Sequence, residues 1–285
     1  MNNFTFFSFL ILLTGLMIGC SSYSASVTSD DSGTRKINDD ALRVFVYNIH
    51  HGRGMDDEIN IERIAALIKE KKPHLVALNE VDIGVARSGN IDIMKLLAQK
   101  LDMKPVFGKN IDHQGGEYGN GILTSLPLIA FKNLHLKKSE EGEQRGLLQA
   151  EVDYEGTRII FMTTHLDHQS DINRKFAVKQ IIKTNENYSR KTVIVAGDFN
   201  ATPNDKMYSQ MRAYFTDAWE EAGEGPGYTI PVPVSSANRR IDYIFYSNNN
   251  REKDGNRLRP LYIEVINSTA SDHLPVYAEF ELTEY

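Results

Sequence analysis

Short apolar runs alternate with segments of helical period along this chain, and polar residues stand where the apolar runs stop. The run Leu42-Arg43-Val44-Phe45-Val46-Tyr47-Asn48-Ile49 predicts a strand ending at Asn48, followed by the loop His50-His51-Gly52-Arg53-Gly54. Ile61, Ile64, Ala65 and Ile68 repeat at helical spacing, and Pro73 closes that segment. Leu75-Val76-Ala77-Leu78-Asn79-Glu80 is the next strand and ends in a carboxylate. Strand, helix and strand in this order predict layers of sheet and helix. A second helix, over residues 91–101, carries Ile93, Leu96, Leu97 and Leu101 on its apolar face. In Tyr118-Gly119-Asn120-Gly121 the glycines read either as a turn or as backbone close to a ligand, with Tyr118 and Asn120 at its mouth. A further strand starts at Ile122-Leu123.

Residues 147–152 and 158–164 predict paired strands around the turn Tyr154-Glu155-Gly156-Thr157, and the second runs into His165-Leu166-Asp167-His168. Residues 174–188 read as a helix. The β-branched run Val193-Ile194-Val195-Ala196 predicts a buried strand that stops abruptly in Gly197-Asp198-Phe199-Asn200. On continuing extended backbone Asp198 and Asn200 would point to one side. A charged oxygen beside an amide suits a hard cation or a phosphate, while an ordinary turn is the other reading. Thr202 is the predicted N-cap of the next helix, Pro203 its first residue, and Asp205 completes an acidic variant of the capping box. Trp219 reads as core. Arg239-Arg240-Ile241-Asp242-Tyr243-Ile244-Phe245 predicts a strand holding Asp242 in apolar surroundings, and Ser271-Asp272-His273-Leu274-Pro275-Val276 precedes the last strand.

Composition adds less than this pattern. With 285 residues, 41% hydrophobic and 25% charged, the chain can bury a full core. Its net charge of −6 lacks the basic footprint of a non-specific nucleic-acid binder. The one cysteine, Cys20, excludes an intrachain disulfide. Residues 4–19 are almost continuously apolar and uncharged, too short for a transmembrane helix of about 20 residues but suited to a signal-peptide core. The closing Leu16-Met17-Ile18-Gly19-Cys20 resembles the lipobox of bacterial lipoproteins. That resemblance implies a signal peptide over 1–19, cleavage before Cys20 and lipid on its thiol. It also implies a membrane-anchored protein of the bacterial envelope, with Ser21 pointing to the outer membrane. An uncleaved anchor and a plain secretory signal are the alternatives. Residues 20–40, rich in Ser, Thr and Asp, read as a flexible tether, and the folded domain is expected over 41–285.

Asn48, Glu80, His165, Asp198, Asn200, Asp242, Asp272 and His273 each have an ordinary structural reading, but eight such residues in or at the ends of predicted strands point to a site. Oxygen ligands without a Cys/His cluster favour Mg²⁺ or Mn²⁺ over Zn²⁺. Taken in order, Asn48, Asn79-Glu80, Gly119-Asn120-Gly121-Ile122-Leu123, Thr164-His165-Leu166, Gly197-Asp198-Phe199-Asn200, Arg240-Ile241-Asp242-Tyr243-Ile244 and Ser271-Asp272-His273-Leu274-Pro275 resemble the endonuclease/exonuclease/phosphatase family. The resemblance implies a DNase I-like α/β fold, a four-layered sandwich with two central mixed β-sheets flanked by helices, and a site at one rim.

It also implies roles. Glu80 would be the main metal carboxylate, with Asn48 and Asp272 nearby. Asp198 and Asn200 would orient the attacking water and hold a phosphate oxygen. His273 would be general base or electrostatic partner, oriented by Asp242, and His165 would stabilise or protonate the departing side. Tyr118, Asn120 and Arg145 are candidate substrate contacts, and Arg53, Arg87, Arg239 and Arg240 further candidates for phosphate. The expected activity is phosphoester hydrolysis by a monomer, with Mg²⁺ or Mn²⁺, on a nucleic acid, a phospholipid or a sugar phosphate. A lipid-anchored binding protein that keeps the fold without catalysis is the competing expectation.

Overall fold

The computed structural model describes Met1 and residues 37–139, 141–188, 191–248 and 257–283. The expected signal peptide, Cys20 and most of the expected tether lie outside the described residues. Strand β1 (Leu42–Asn48) leads through a short 3-10 turn (His50–Gly52) to helix α1 (Ile61–Lys71) and strand β2 (Leu75–Ile83). Helix α2 (Ile93–Leu101) and strands β3 (Lys104–His113), β4 (Gly116–Thr124), β5 (Leu128–His135), β6 (Gly146–Tyr154) and β7 (Thr157–His165) follow. Next come α3 (Asp171–Glu186), β8 (Thr192–Asp198), α4 (Lys206–Arg212), β9 (Thr216–Asp217), α5 (Ala218–Ala222), β10 (Asp242–Asn248), β11 (Arg257–Val265) and β12 (Val276–Thr283).

Among the described residues these strands form two six-stranded sheets, ordered β11-β12-β1-β2-β4-β3 and β5-β6-β7-β8-β10-β9. Each has one parallel pair joined by a helical crossover: β1 with β2 through α1, and β7 with β8 through α3. The remaining pairs are antiparallel, so both sheets are mixed. Alternation along each strand sorts the core into layers. Leu42, Val44, Val46 and Ala77 face Leu148, Ala150, Phe161, Ile194 and Ala196 of the other sheet. On the reverse faces Phe45, Tyr47 and Leu78 pack on Ile64 and Ile68 of α1 and Leu97 of α2, while Val193 and Val195 pack on Val178 and Ile181 of α3 and Met211 of α4. The result is the expected order of helix, sheet, sheet, helix.

Several local expectations need correction. Tyr118 to Gly121 lie inside β4, not in a loop. Gly119 is required there because a β-carbon would collide with the Gly108 carbonyl of the neighbouring strand. The strand expected from Arg239 begins only at Asp242. Helix α4 begins at Lys206, beyond Pro203: the Asp205 carboxylate turns back to accept from the Thr202 N–H and hydroxyl at 2.6 and 2.8 Å, closing a turn where the first helical turn was expected. Asn200 does not continue an extended strand after Asp198 but takes the left-handed conformation at φ 49°.

Candidate active site

The carboxyl ends of both parallel pairs, with the ends of β10 and β12 that run antiparallel to them, deliver polar groups to one rim. This is the side on which open α/β sheets build their sites. Asn48 ends β1, His165 ends β7, Asp198 ends β8, and Asp242 starts β10 directly opposite Asp198. Glu80 comes from an irregularity in β2, whose pairing with β4 shifts register between Leu78 and Val81. At φ 57° its backbone is left-handed, which turns the carboxylate out of the ordinary pleat at a cost of about 1–2 kcal/mol. Gly197, at φ 144°, lies against the Thr164 carbonyl, where a β-carbon would not fit. Close contact between β7 and β8 therefore sets the positions of His165 and Asp198.

One run of polar contacts joins these groups. Asn48 Nδ2 donates to Glu80 Oε1 and to Asp198 Oδ2, both at 3.1 Å. Asp198 Oδ2 lies 3.4 Å from His165 Nε2 and 3.7 Å from His273 Nε2. His273 Nδ1 meets Asp242 Oδ2 at 2.9 Å. Asp198, Asp242 and His273 offer ligand-type atoms within 4.8 Å of one another and are all buried. Asp242 Oδ1 is buried and takes no hydrogen bond. Asp272, beside His273, is exposed, with Oδ1 accepting from the Ser271 hydroxyl at 3.2 Å. Asn200 donates its N–H to Asp198 Oδ1 at 2.8 Å and its amide to the Leu166 carbonyl at 3.0 Å.

Electrostatics separate the two histidines. Burial first, then the Arg145 guanidinium, push His165 well below its ordinary pKa. Arginine only donates, so its Nη1, 3.0 Å from His165 Nδ1, fixes Nδ1 as acceptor and leaves Nε2–H facing Asp198. Burial alone would lower His273, but the Asp242 and Asp198 carboxylates outweigh it and raise the imidazolium above its usual range. Asp198 is itself raised, by burial and then by Asp242.

The other predicted contacts divide. Arg145 is brought to the site, buried against His165 and Glu143. Asn120 lies beneath it, donating to the Gly146 carbonyl at 3.1 Å and accepting from Asn79 at 2.9 Å, so it holds the two sheets together. Tyr118 is buried with its ring under the Arg87 guanidinium. Arg87 pairs with Asp82, Arg53 with Asp57 and Arg240 with Asp217, while Arg239 is exposed.

Two further features belong to the site, although sequence assigned them no role. Asn79, fully buried, accepts from the Asp198 N–H at 2.9 Å and donates to Asn120 Oδ1 and Thr163 Oγ1 at 2.9 and 3.3 Å. Its signal was an amide directly before Glu80 at the end of an apolar strand. His50 and His51 stand beside Glu80, and their signal was a His pair two residues after Asn48.

Comparison with known proteins agrees with this geometry. The model of the Endonuclease/Exonuclease/phosphatase family matches residues 45–273. The uncharacterized protein YbhP of Escherichia coli (strain K12) is 22% identical over 255 residues, 85% of this chain and 97% of YbhP. The crystal structure of an endonuclease/exonuclease/phosphatase from Beutenbergia cavernae superposes with a TM-score of 0.71 at 24% identity, covering 85% of this chain and 72% of that one. The mannosyl-6-phosphatase of Bacteroides thetaiotaomicron superposes at 0.69 and 17% identity, covering 84% and 99%. These structures share the two-sheet fold. With the family pattern running from β1 to His273, the chain belongs to the endonuclease/exonuclease/phosphatase family, whose members hydrolyse phosphoesters.

Proposed function

We propose that this chain is a divalent-metal-dependent phosphoester hydrolase acting by direct water attack. The observation that carries the reading is the continuous run of contacts from Glu80 through Asn48, Asp198 and His273 to Asp242 at one sheet rim. Glu80, Asn48 and Asp272 would hold the cation. The donor chemistry fits: two carboxylates and an amide are hard oxygen donors of the kind Mg²⁺ or Mn²⁺ takes. When bound, such an ion screens the phosphoryl charge and steadies the leaving oxygen.

The protein side chains do the rest. His165, neutral and held by Arg145, offers Nε2–H to a phosphoryl oxygen as a hydrogen-bond donor. Asp198 and Asn200 orient the water, Asp198 accepts its proton, and the His273 imidazolium, held by Asp242, offsets the charge that develops on the phosphoryl group. No cysteine stands among these residues, and the Ser271 hydroxyl is committed to the Asn48 carbonyl at 2.7 Å and to Asp272; the nucleophile of this reading is the water held by Asp198 and Asn200. A lipid-anchored binding protein would have no use for a buried histidine held between two carboxylates.

A panel of plasmid DNA, RNA, sphingomyelin and sugar phosphates, with Mg²⁺ or Mn²⁺ and with chelator, tests the activity; sugar phosphates come first because a mannosyl-6-phosphatase shares the fold. Single turnover in ¹⁸O-labelled water should place label in the phosphate product. Label retained by the protein would overturn the mechanism.

The apolar stretch ending at Cys20 and the Ser/Thr-rich segment after it support lipidation at Cys20 and anchoring in the bacterial envelope. Cys20→Ala should release the protein from the membrane fraction or leave its signal uncut; unchanged fractionation and mature mass would remove this reading.

A further inference from the structure

Beside Glu80 stands a second group of side chains that the run of contacts to Asp242 does not use. His50, His51 and Glu80 each present a ligand atom, and these atoms lie within 4.8 Å of one another. Neighbouring residues on extended or helical backbone point their side chains apart. Here both histidines take the left-handed conformation, at φ 43° and 45°, and their ring centroids come within 4.5 Å. The turn is pinned from below: the His50 N–H donates to Asn48 Oδ1 at 3.1 Å, and the Gly52 N–H to the Ile49 carbonyl at 2.8 Å. His51 is only 7% exposed, and its Nδ1 is buried without a hydrogen-bond partner. A buried imidazole nitrogen left unpaired is unfavourable unless something fills the place. Asp272 Oδ1 lies 3.8 Å from His50 Nδ1, too far for a hydrogen bond but near enough to add negative charge beside the histidine pair.

We propose that His50, His51 and Glu80 form a binding site for a transition-metal dication of the Zn²⁺ or Co²⁺ class. Two imidazoles and one carboxylate are the donor set these ions take, whereas Mg²⁺ prefers oxygen alone. Because Glu80 also serves the hard-cation reading, the nature of the ion at this rim depends on whether the two histidines join it. The proposal rests on the placement of the histidines and does not require phosphoester hydrolysis.

Co²⁺ is the probe. The full chain is titrated with Co²⁺ by visible absorption, and Co²⁺ and Mg²⁺ affinities are measured by equilibrium dialysis for wild type, His50→Gln and His51→Gln. Wild type should develop the bands of nitrogen-ligated Co²⁺. Each histidine variant should lose at least about tenfold in Co²⁺ affinity, with a much smaller change for Mg²⁺. Equal Co²⁺ binding in wild type and both variants would overturn the proposal. So would the absence of wild-type Co²⁺ binding below millimolar concentration. Parallel losses for Co²⁺ and Mg²⁺ would also overturn it, since the histidines would then only be positioning Glu80. Circular dichroism guards the fold; if His51→Gln unfolds, His50→Gln, partly exposed, decides the question alone. Hydrolysis failing with Mg²⁺, Mn²⁺ and Co²⁺ alike while Co²⁺ still binds would remove the hydrolase reading and leave this site standing.

Discussion

Asn79→Ala should be among the most damaging single changes in this chain, although Asn79 touches no solvent. Its carboxamide ties β2 of one sheet to β7 and β8 of the other by accepting from the Asp198 N–H and donating to Asn120 and Thr163. Truncation leaves the Asp198 N–H and Asn120 Oδ1 buried without partners, and each such group costs about 1–3 kcal/mol. The Thr163 hydroxyl can rotate to another acceptor and adds little. A sum of about 2–6 kcal/mol is a large part of a typical stability of about 5–15 kcal/mol. Asn79→Asp is the informative companion. It keeps the acceptor for the Asp198 N–H but sets an oxygen against Asn120 Oδ1. Flipping the Asn120 amide only moves the conflict to the Gly146 carbonyl. Urea unfolding of chelator-treated protein, at constant m, reads the change without any contribution from bound metal. If Asn79→Ala shifts stability by less than about 0.5 kcal/mol, the bridge between the sheets is not what holds the site, and the reasoning fails.

Three other outcomes are expected. His273→Ala should lower turnover about 10²–10³-fold, the usual scale for losing one preorganised group that offsets transition-state charge, while metal affinity by calorimetry survives; full activity would remove His273 from the mechanism. Glu80→Gln should weaken Mg²⁺ binding but leave the metal-free fold intact, because the amide still accepts from Asn48; unchanged affinity would reassign the ligand. His74, half-buried, is held down to about 4 by burial and by Arg43, so the unfolded chain takes up a proton there that the folded chain refuses. Stability is therefore full above the unfolded pKa of about 6.5 and falls as pH drops toward 4, by about 1 kcal/mol between pH 7 and pH 5 after allowing for solvent screening. His74→Gln should flatten that slope in urea titrations, and an unchanged slope would place the acid sensitivity elsewhere.

What sequence could and could not reveal follows from where each strand sits. The strands read from apolar runs, among them β1, β2, β7, β8 and β10, are interior to their sheets. An interior strand covered on both faces needs a nearly continuous apolar run. The strands that escaped the reading, β3, β5, β9 and β11, are the four edges. Of β5, Ile129, Ala130, Phe131 and Lys132 are exposed in succession, and β3 carries Lys104, Lys109, Asn110 and Asp112 within ten residues. An edge strand is specified by the neighbour whose ladder it completes, and that neighbour is not visible in a local pattern.

The same distinction governs the site. Asn48, His165 and Asp198 were legible because a polar residue closing an apolar strand is a local event, and strand ends are where a parallel pair opens onto a rim. Asn79 and Asn120 were legible only as motif letters, because their work is to pair across 41 and 119 positions of sequence. His50 and His51 read as an ordinary loop for a different reason: their side chains converge because both backbones turn left-handed, and although histidine visits that region more often than most residues, two in succession are too uncommon for a local pattern to signal. The conformation is imposed from outside, by Asn48 gripping the His50 N–H and by the chain closing again at Gly52. Asn48 thus holds Glu80 with its amide nitrogen and the histidine turn with its amide oxygen, so one side chain sets the position of both halves of this rim.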